Sequence, residues 1–172
     1  MATVNMSRWV GNLDGAKEPL IIKGLFQAGA TAAIEAGELL EFTGDTNTAW
    51  VPLDSDFDMD SNVAIAAESI KSGDLAGYYQ IYCPRPGDMW EFDLATAAGT
   101  AYGTALTYSS SDVVTTGGTY PIGYAVGQQH YPQYQNHMSD GEPSDSGTSI
   151  RTQATVIMTI KAACSIYSAL VV

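Results

Sequence analysis

The sequence predicts an all-β protein, built as a small β-barrel or β-sandwich with an extended N-terminal arm and at most one short helix. Its 172 residues include 17 Gly and 10 Tyr but only 7 Pro, which is typical of strands joined by tight turns. From residue 25 onward, short β-branched or aromatic runs alternate with Gly, Asp and Asn. Hydrophobic residues make up 45% of the chain, enough to form a core without disulfides or metals.

The first predicted element is the arm, residues 1–23. Gly11, Gly15 and Pro19 interrupt this segment, and neither the strand period nor the helix period persists along it. We expect residues 24–172 to form a single β-rich domain, in which no internal repeat of fixed period is visible.

A hairpin and an ambiguous segment follow. Residues 38–42 (ELLEF) and 48–53 (TAWVPL) flank a turn-like stretch, which predicts two antiparallel strands. Residues 62–70 (NVAIAAESI) fit a short helix or a buried strand equally well, because their periodicity does not separate the two.

The strongest strand signal is residues 77–83 (GYYQIYC), which ends where two prolines remove backbone donors. Residues 84–88 (PRPGD) predict a turn, and residues 89–94 (MWEFDL) a return strand with Glu91 and Asp93 pointing outward.

The C-terminal third continues the β pattern around one long insertion. Residues 105–108 and 122–126 predict strands separated by a Gly-Gly turn, and residues 152–162 and 165–172 predict one long or two short closing strands. Residues 128–149 are polar and predict a loop longer than compact domains normally contain without a purpose.

Charge is scarce and one-sided: 19 acidic residues face 7 basic ones, for a net charge of −12. Nucleic-acid binding needs clustered Lys and Arg, so we expect no nucleic-acid partner, and for the same reason no anionic membrane partner. The N-terminus lacks a signal-peptide pattern and the longest apolar run is too short to span a bilayer, which favours a soluble protein that is not exported by the Sec pathway. Cys83 and Cys164 are predicted to be buried, reduced thiols.

One acidic stretch could bind a cation. In an extended chain Asp54, Asp56, Asp58 and Asp60 would share one face, and Ca²⁺ would relieve their repulsion. The EF-hand pattern fails, however, because Met59 stands where that loop needs Gly. A solvated acidic edge that discourages aggregation is the favoured interpretation, and we predict no metal site.

No pattern indicates an enzyme. His130 and His137 have no third ligand at metal-binding spacing, and the chain contains no nucleophile elbow, zinc-protease motif or phosphate-binding loop. We therefore predict no catalytic residue and no cofactor.

The order of features from residue 33 to 126 resembles the small decoration, or head cement, proteins of tailed bacteriophages. The resemblance is carried by residues 36–42 (AGELLEF), 78–92 (YYQIYCPRPGDMWEF), 103–111 (GTALTYSSS) and 121–126 (PIGYAV). It implies a β-rich body, often trimeric, that binds the outside of an icosahedral capsid and carries no catalytic residues. The major capsid protein would be the partner, the location the exterior of the virion, and the host cytoplasm the site of synthesis.

The arm is the candidate contact segment, because it holds Arg8, Trp9, Lys17 and Lys23 and is the only part that is not strongly acidic. We expect it to reach an acidic capsid or neighbouring-subunit surface. One alternative is a β-rich tail, fibre or surface module that recognises a host glycan or protein through residues 128–149. A small hydrolase built on the acidic stretch is the third reading.

Overall fold

The structure, a computed structural model, describes residues 7–26, 33–43, 49–53, 62–71, 76–95, 100–110, 113–127 and 154–161. These residues contain strands and no helix, so the all-β prediction is confirmed. The strands are β1 Arg8–Asn12, β2 Ile21–Phe26, β3 Leu39–Thr43, β4 Ala49–Pro52, β5 Val63–Ala66, β6 Gly77–Tyr82, β7 Asp88–Leu94, β8 Ala105–Ser110, β9 Val113–Thr116, β10 Gly123–Ala125 and β11 Ala154–Ile160.

Ten of the strands close into two five-stranded barrels. The first barrel consists of β2 to β6, in the ring order β2-β4-β3-β5-β6. The second barrel consists of β7 to β11, in the order β7-β11-β10-β8-β9, and is closed by the pairing of β7 with β9. Strand β1 adds to the free part of the β7 edge. Closure matters because it removes exposed sheet edges, which otherwise invite aggregation.

The two barrels have the same topology. If the strands of each are counted one to five along the chain, both rings read 1-3-2-4-5. In both, strands one and three are parallel, at Phe26 and Trp50 in the first barrel and at Leu94 and Val114 in the second. Every other neighbouring pair is antiparallel.

The register is also the same around both rings. If Leu40 is matched with Leu106, the pairings through the third strand match Phe26 with Leu94. The pairings through the fourth and fifth strands give the same match. Apart from the register shift between Tyr108 and Ser110 in β8, which β3 lacks, the paired positions of one barrel therefore have defined counterparts in the other.

The turns that lead into β3 and β8 match as well. Residues 35–38 and 101–104 are each closed by a 3.1 Å hydrogen bond from the fourth N–H to the first carbonyl. The third residue of each turn is a glycine in the left-handed region, Gly37 at φ 94° and Gly103 at φ 81°. A type II turn requires this conformation at its third position, which explains why both turns contain glycine there.

The first barrel has an aromatic interior. Trp50 and Phe42 lie with ring centroids 5.3 Å apart, and Phe26 meets Tyr79 edge to face at 5.7 Å. Gly24 makes room for this packing, because a Cβ there would lie 2.5 Å from Cδ1 of Trp50. The remaining buried members of this cluster are aliphatic: Ile34, Leu40, Ala64, Ala66, Ile70 and Ile81.

A second cluster joins the two barrels. Its centre is the interior of the second barrel, with Trp90 and Phe92 among its fully buried side chains. Side chains on the outer side of the first barrel belong to the same cluster, and they are Leu39, Leu53, Val63 and Ile65. The first barrel thus packs one outer face against the core of the second.

The strands predicted within the described residues are present, but one predicted strand pairing is not. The hairpin of residues 38–42 and 48–53 is confirmed as β3 and β4, and the ambiguous segment 62–70 contains the strand β5, all four residues of which are buried. The return strand was wrong, because β7 does not pair with β6. Both edges of β6 are already used, by β2 and by β5, so the chain passes through residues 83–87 into the second barrel.

The outward, solvent-facing placement of Glu91 and Asp93 was also wrong, because both are buried, at 1% and 2% exposure. Cys83 is buried, as expected, and forms no disulfide within the described residues. Cys164, the loop 128–149 and the predicted strand 165–172 lie outside the described residues. Within the described ranges, no helix has the length and apolar character needed to cross a membrane.

Candidate interaction surface

Residues 8–12 of the predicted contact segment form a strand on the second barrel. Strand β1 runs antiparallel to β7, with Arg8 opposite Glu91 and Trp9 opposite Trp90. The register shifts between Trp9 and Gly11, as in a β-bulge. The arm is therefore tied to the body over residues 8–12, where its backbone completes the β7 edge.

Arg8 forms an ion pair inside the chain. Its Nε donates to Oε2 of Glu91, while the hydroxyl of Thr155 donates to Oε1 of the same carboxylate at 2.7 Å. Glu91 is 1% exposed and the Arg8 side chain 63% exposed. A buried carboxylate needs such partners to offset its desolvation, so Arg8 has a structural task whether or not it also meets a partner protein.

Asp88 holds the arm and the connection between the barrels together. Its side chain is fully buried and accepts hydrogen bonds from Nε1 of Trp9 at 3.2 Å and Nδ2 of Asn12 at 2.8 Å. Arg85 contributes its backbone N–H at 2.8 Å and its guanidinium Nε at 3.2 Å. The guanidinium also donates to the carbonyl of Glu18, which ties in the chain before β2.

Beside this hydrogen-bond network lies an open cavity of about 520 Å³. It is lined by Asn12, Asp14, Gly15, Ala16, Arg85 and Pro86. The lining contains no Ser, Thr, Cys, His or Lys, and its one cation, Arg85, is already paired with Asp88.

Lys17 and Lys23 are both exposed, Lys17 in the connection before β2 and Lys23 within β2. The structure therefore divides the predicted contact set. It places Arg8 and Trp9 on the second barrel, where their side chains donate to Glu91 and Asp88 of β7, and Lys23 on the first.

Asp54, Asp56, Asp58 and Asp60 lie outside the described residues. Over the part of the chain that is described, no group of three His, Cys, Asp or Glu side chains is placed to hold a metal ion.

A second surface was missed by the sequence reasoning. Strands β8 to β11 contain no charged residue, and tyrosines stand exposed on this barrel: Tyr102 at 81%, Tyr120 at 46% and Tyr124 at 41%. Interface cores are typically depleted in charge and enriched in tyrosine. The sequence signal for this surface is the absence of charged residues from residues 113–127, which by itself also fits an ordinary pattern of strands and turns.

Comparison with protein-family models, with curated proteins and with solved structures finds no match for this chain.

Proposed function

We propose that this protein is a virion structural protein, a decoration or cement protein that binds the outer surface of an assembled phage capsid and stabilises it. The observation that carries the proposal is that strands β8 to β11 of the closed second barrel contain no charged residue, with Tyr120 exposed in the connection from β9 to β10. The sequence resemblance supplies the partner, the major capsid protein.

The proposed mechanism is binding alone and includes no catalysed reaction. A protein that binds the assembled shell and not its dissociated subunits stabilises the shell by mass action. If three copies act together, weak individual contacts add up through avidity. Two closed barrels with a shared core suit this role, because the contact surface is ordered before binding and little entropy is lost.

Co-sedimentation with undecorated shells tests the proposal. The exposed cations Lys17 and Lys23 are the part of the arm not used in β1, so the double variant Lys17→Glu/Lys23→Glu is informative. We expect it to lower shell occupancy several-fold at low salt, with a smaller difference at high salt, because exposed charges are screened. Lys71→Glu, another exposed lysine, is the matched control and should bind like the wild type.

Deletion of the arm is a poorer test, because residues 8–12 belong to the β7 edge. If the wild-type protein fails to co-sediment with shells under any salt condition, the proposed function is wrong. If it binds and the double variant binds equally well, the arm lysines have no part in attachment.

A further inference from the structure

Because the two barrels match position by position, the surroundings of matched residues can be compared directly. Leu39 pairs with Ile65 in the first barrel, and Ala105 pairs with Tyr124 at the same place in the second. Leu39 and Ile65 are both 0% exposed. Their counterparts are not covered: Ala105 is exposed and Tyr124 is 41% exposed.

The turn that precedes this pair is likewise buried in the first barrel and exposed in the second. Gly37 is buried and its carbonyl accepts a hydrogen bond from the hydroxyl of Ser7. Gly103, its counterpart, is exposed, and the neighbouring Tyr102 is 81% exposed. We call residues 102–105 and Tyr124 the uncovered face.

In the first barrel, the second barrel is what covers this face. Leu39 and Ile65 belong to the same hydrophobic cluster as Trp90, at the start of β7. The ring of Tyr82, at the end of β6, lies 5.1 Å from the ring of Trp90. Because Tyr82 is paired with Ile65, this ring contact places the start of β7 against the outer face of the first barrel.

The start of β2 is the matching surface on the first barrel. Ile21 and Ile22 are the counterparts of Met89 and Trp90, as the pairings with β6 and β11 show. Ile21 is 49% exposed and Ile22 is only partly buried, whereas Trp90 is 1% exposed. Moreover, β1 covers the edge of β7 here, while in the described part of the chain β2 is paired at this point with β6 alone.

We propose that the uncovered face of one copy docks on the start of β2 of a second copy, around Ile21 and Ile22. This contact would repeat, between copies, the contact that the two barrels make within one chain. It joins two different surfaces, so it is heterologous and propagates head to tail until the ring closes. Closure at three copies, a ring of six barrels, rests on the proposed function, whereas the direction of the contact does not.

The test is the mass in solution, measured by size exclusion with light scattering. The wild type should form an oligomer. Tyr124→Asp and Ile21→Asp should each run at the 18.2 kDa of the single chain, because each puts a charge into the contact. Tyr78→Asp is the matched control: Tyr78 is 69% exposed, lies at the far end of β6, and should leave the mass unchanged.

Mixing the two monomeric variants decides the direction of the contact. The Tyr124→Asp copy keeps its β2 surface and the Ile21→Asp copy keeps its uncovered face, so an equimolar mixture should form a dimer and no larger species. If Ile21→Asp loses cooperative thermal unfolding, Ile21→Lys replaces it.

Three results would overturn the proposal: a monomeric wild type at every concentration, variants that keep the wild-type mass, or a mixture that stays monomeric. If Tyr124→Asp is monomeric while Ile21→Asp assembles normally, the uncovered face pairs with itself and the head-to-tail contact is wrong. Shells are absent from this experiment, so a failure of capsid binding leaves its outcome untouched.

Discussion

The first and second barrels have the same ring order and register but differ in what lies on their outer sides. In the first barrel the outer side chains Leu39 and Ile65 are fully buried; in the second, the matched Ala105 and Tyr124 face solvent. The shared topology decides where a residue stands in the sheet. Whether that position is core or surface depends on what packs against the barrel, which the ring alone does not determine.

Charge separates the barrels in the same way. The strands of the second barrel carry Asp88, Glu91 and Asp93, all on β7 and all at most 2% exposed. The first barrel keeps its strand charges, Lys23 and Glu41, at least partly exposed. The second barrel therefore presents strand surface without exposed charge, which is the more suitable surface for a protein contact.

The largest expected effect comes from truncating matched positions. Ile65→Ala should lower the free energy of unfolding by about 2–5 kcal/mol, the usual range for a large aliphatic side chain removed from a core. Tyr124→Ala, at the matched position, should change it by about 0.5 kcal/mol or less, as exposed positions usually do. Urea unfolding of the monomeric form measures both. Equal losses at the two sites would mean that they are not differently covered.

The next largest loss of stability is expected at the hydrogen-bond network around Asp88. This network has no counterpart in the first barrel, where Leu20 stands at the matched position. Asp88→Asn replaces a buried carboxylate that accepts from Arg85, Trp9 and Asn12. We expect a loss of about 2–3 kcal/mol, the scale of hydrogen bonds to charged groups. The exposed Asp14→Asn serves as the control in the same urea titration, and a similar loss there would remove the special role of Asp88.

The smallest effects should come from the two matched turns. Gly103→Ala forces a side chain into the left-handed region in open space, at a cost of about 1–2 kcal/mol. Gly37→Ala meets the same backbone penalty and is also buried, so its loss should be at least as large. Thermal unfolding of the pair checks this, and a neutral Gly103→Ala would show that the turn conformation is not shared.

Local features of the fold could be predicted from the sequence, and long-range ones could not. The β3–β4 hairpin follows from a short turn between two apolar runs, which involves neighbouring residues only. The pairing of β2 with β4, and of β7 with β9, joins parallel strands that are distant in the chain and leave no local mark.

Two predictions for residues 84–94 were wrong because strands distant in the sequence decide the pairing of β6 and the surroundings of β7. The segment PRPGD at residues 84–88 has turn residues, and Gly87 does adopt φ 81°, yet the chain continues into a new barrel because both edges of β6 are occupied. Glu91 alternates as an outward strand residue should, but Arg8 and Thr155 reach it from β1 and β11.

The structural repeat of the two barrels is not visible in the sequence, because the matched strands share little sequence identity. Around the matched strands β3 and β8, residues 37–42 read GELLEF and residues 103–108 read GTALTY, sharing only the turn glycine and one core leucine. The shared feature is a spacing of glycine, leucine and aromatic residue. That spacing becomes informative only once the pairings show that both segments occupy the same place in a ring. The uncovered face is identified through this match, so it could not be predicted from the sequence alone.

Amide hydrogen exchange, measured below and above the concentration at which the protein associates, tests the difference between the barrels most directly. We expect association to add protection at residues 102–106, at residues 123–125 and at the start of β2, residues 20–23. We expect no added protection at β3 and β5, which the second barrel already covers. Protection gained instead around the control residue Tyr78, or no change with concentration at all, would contradict the proposed difference between the barrels.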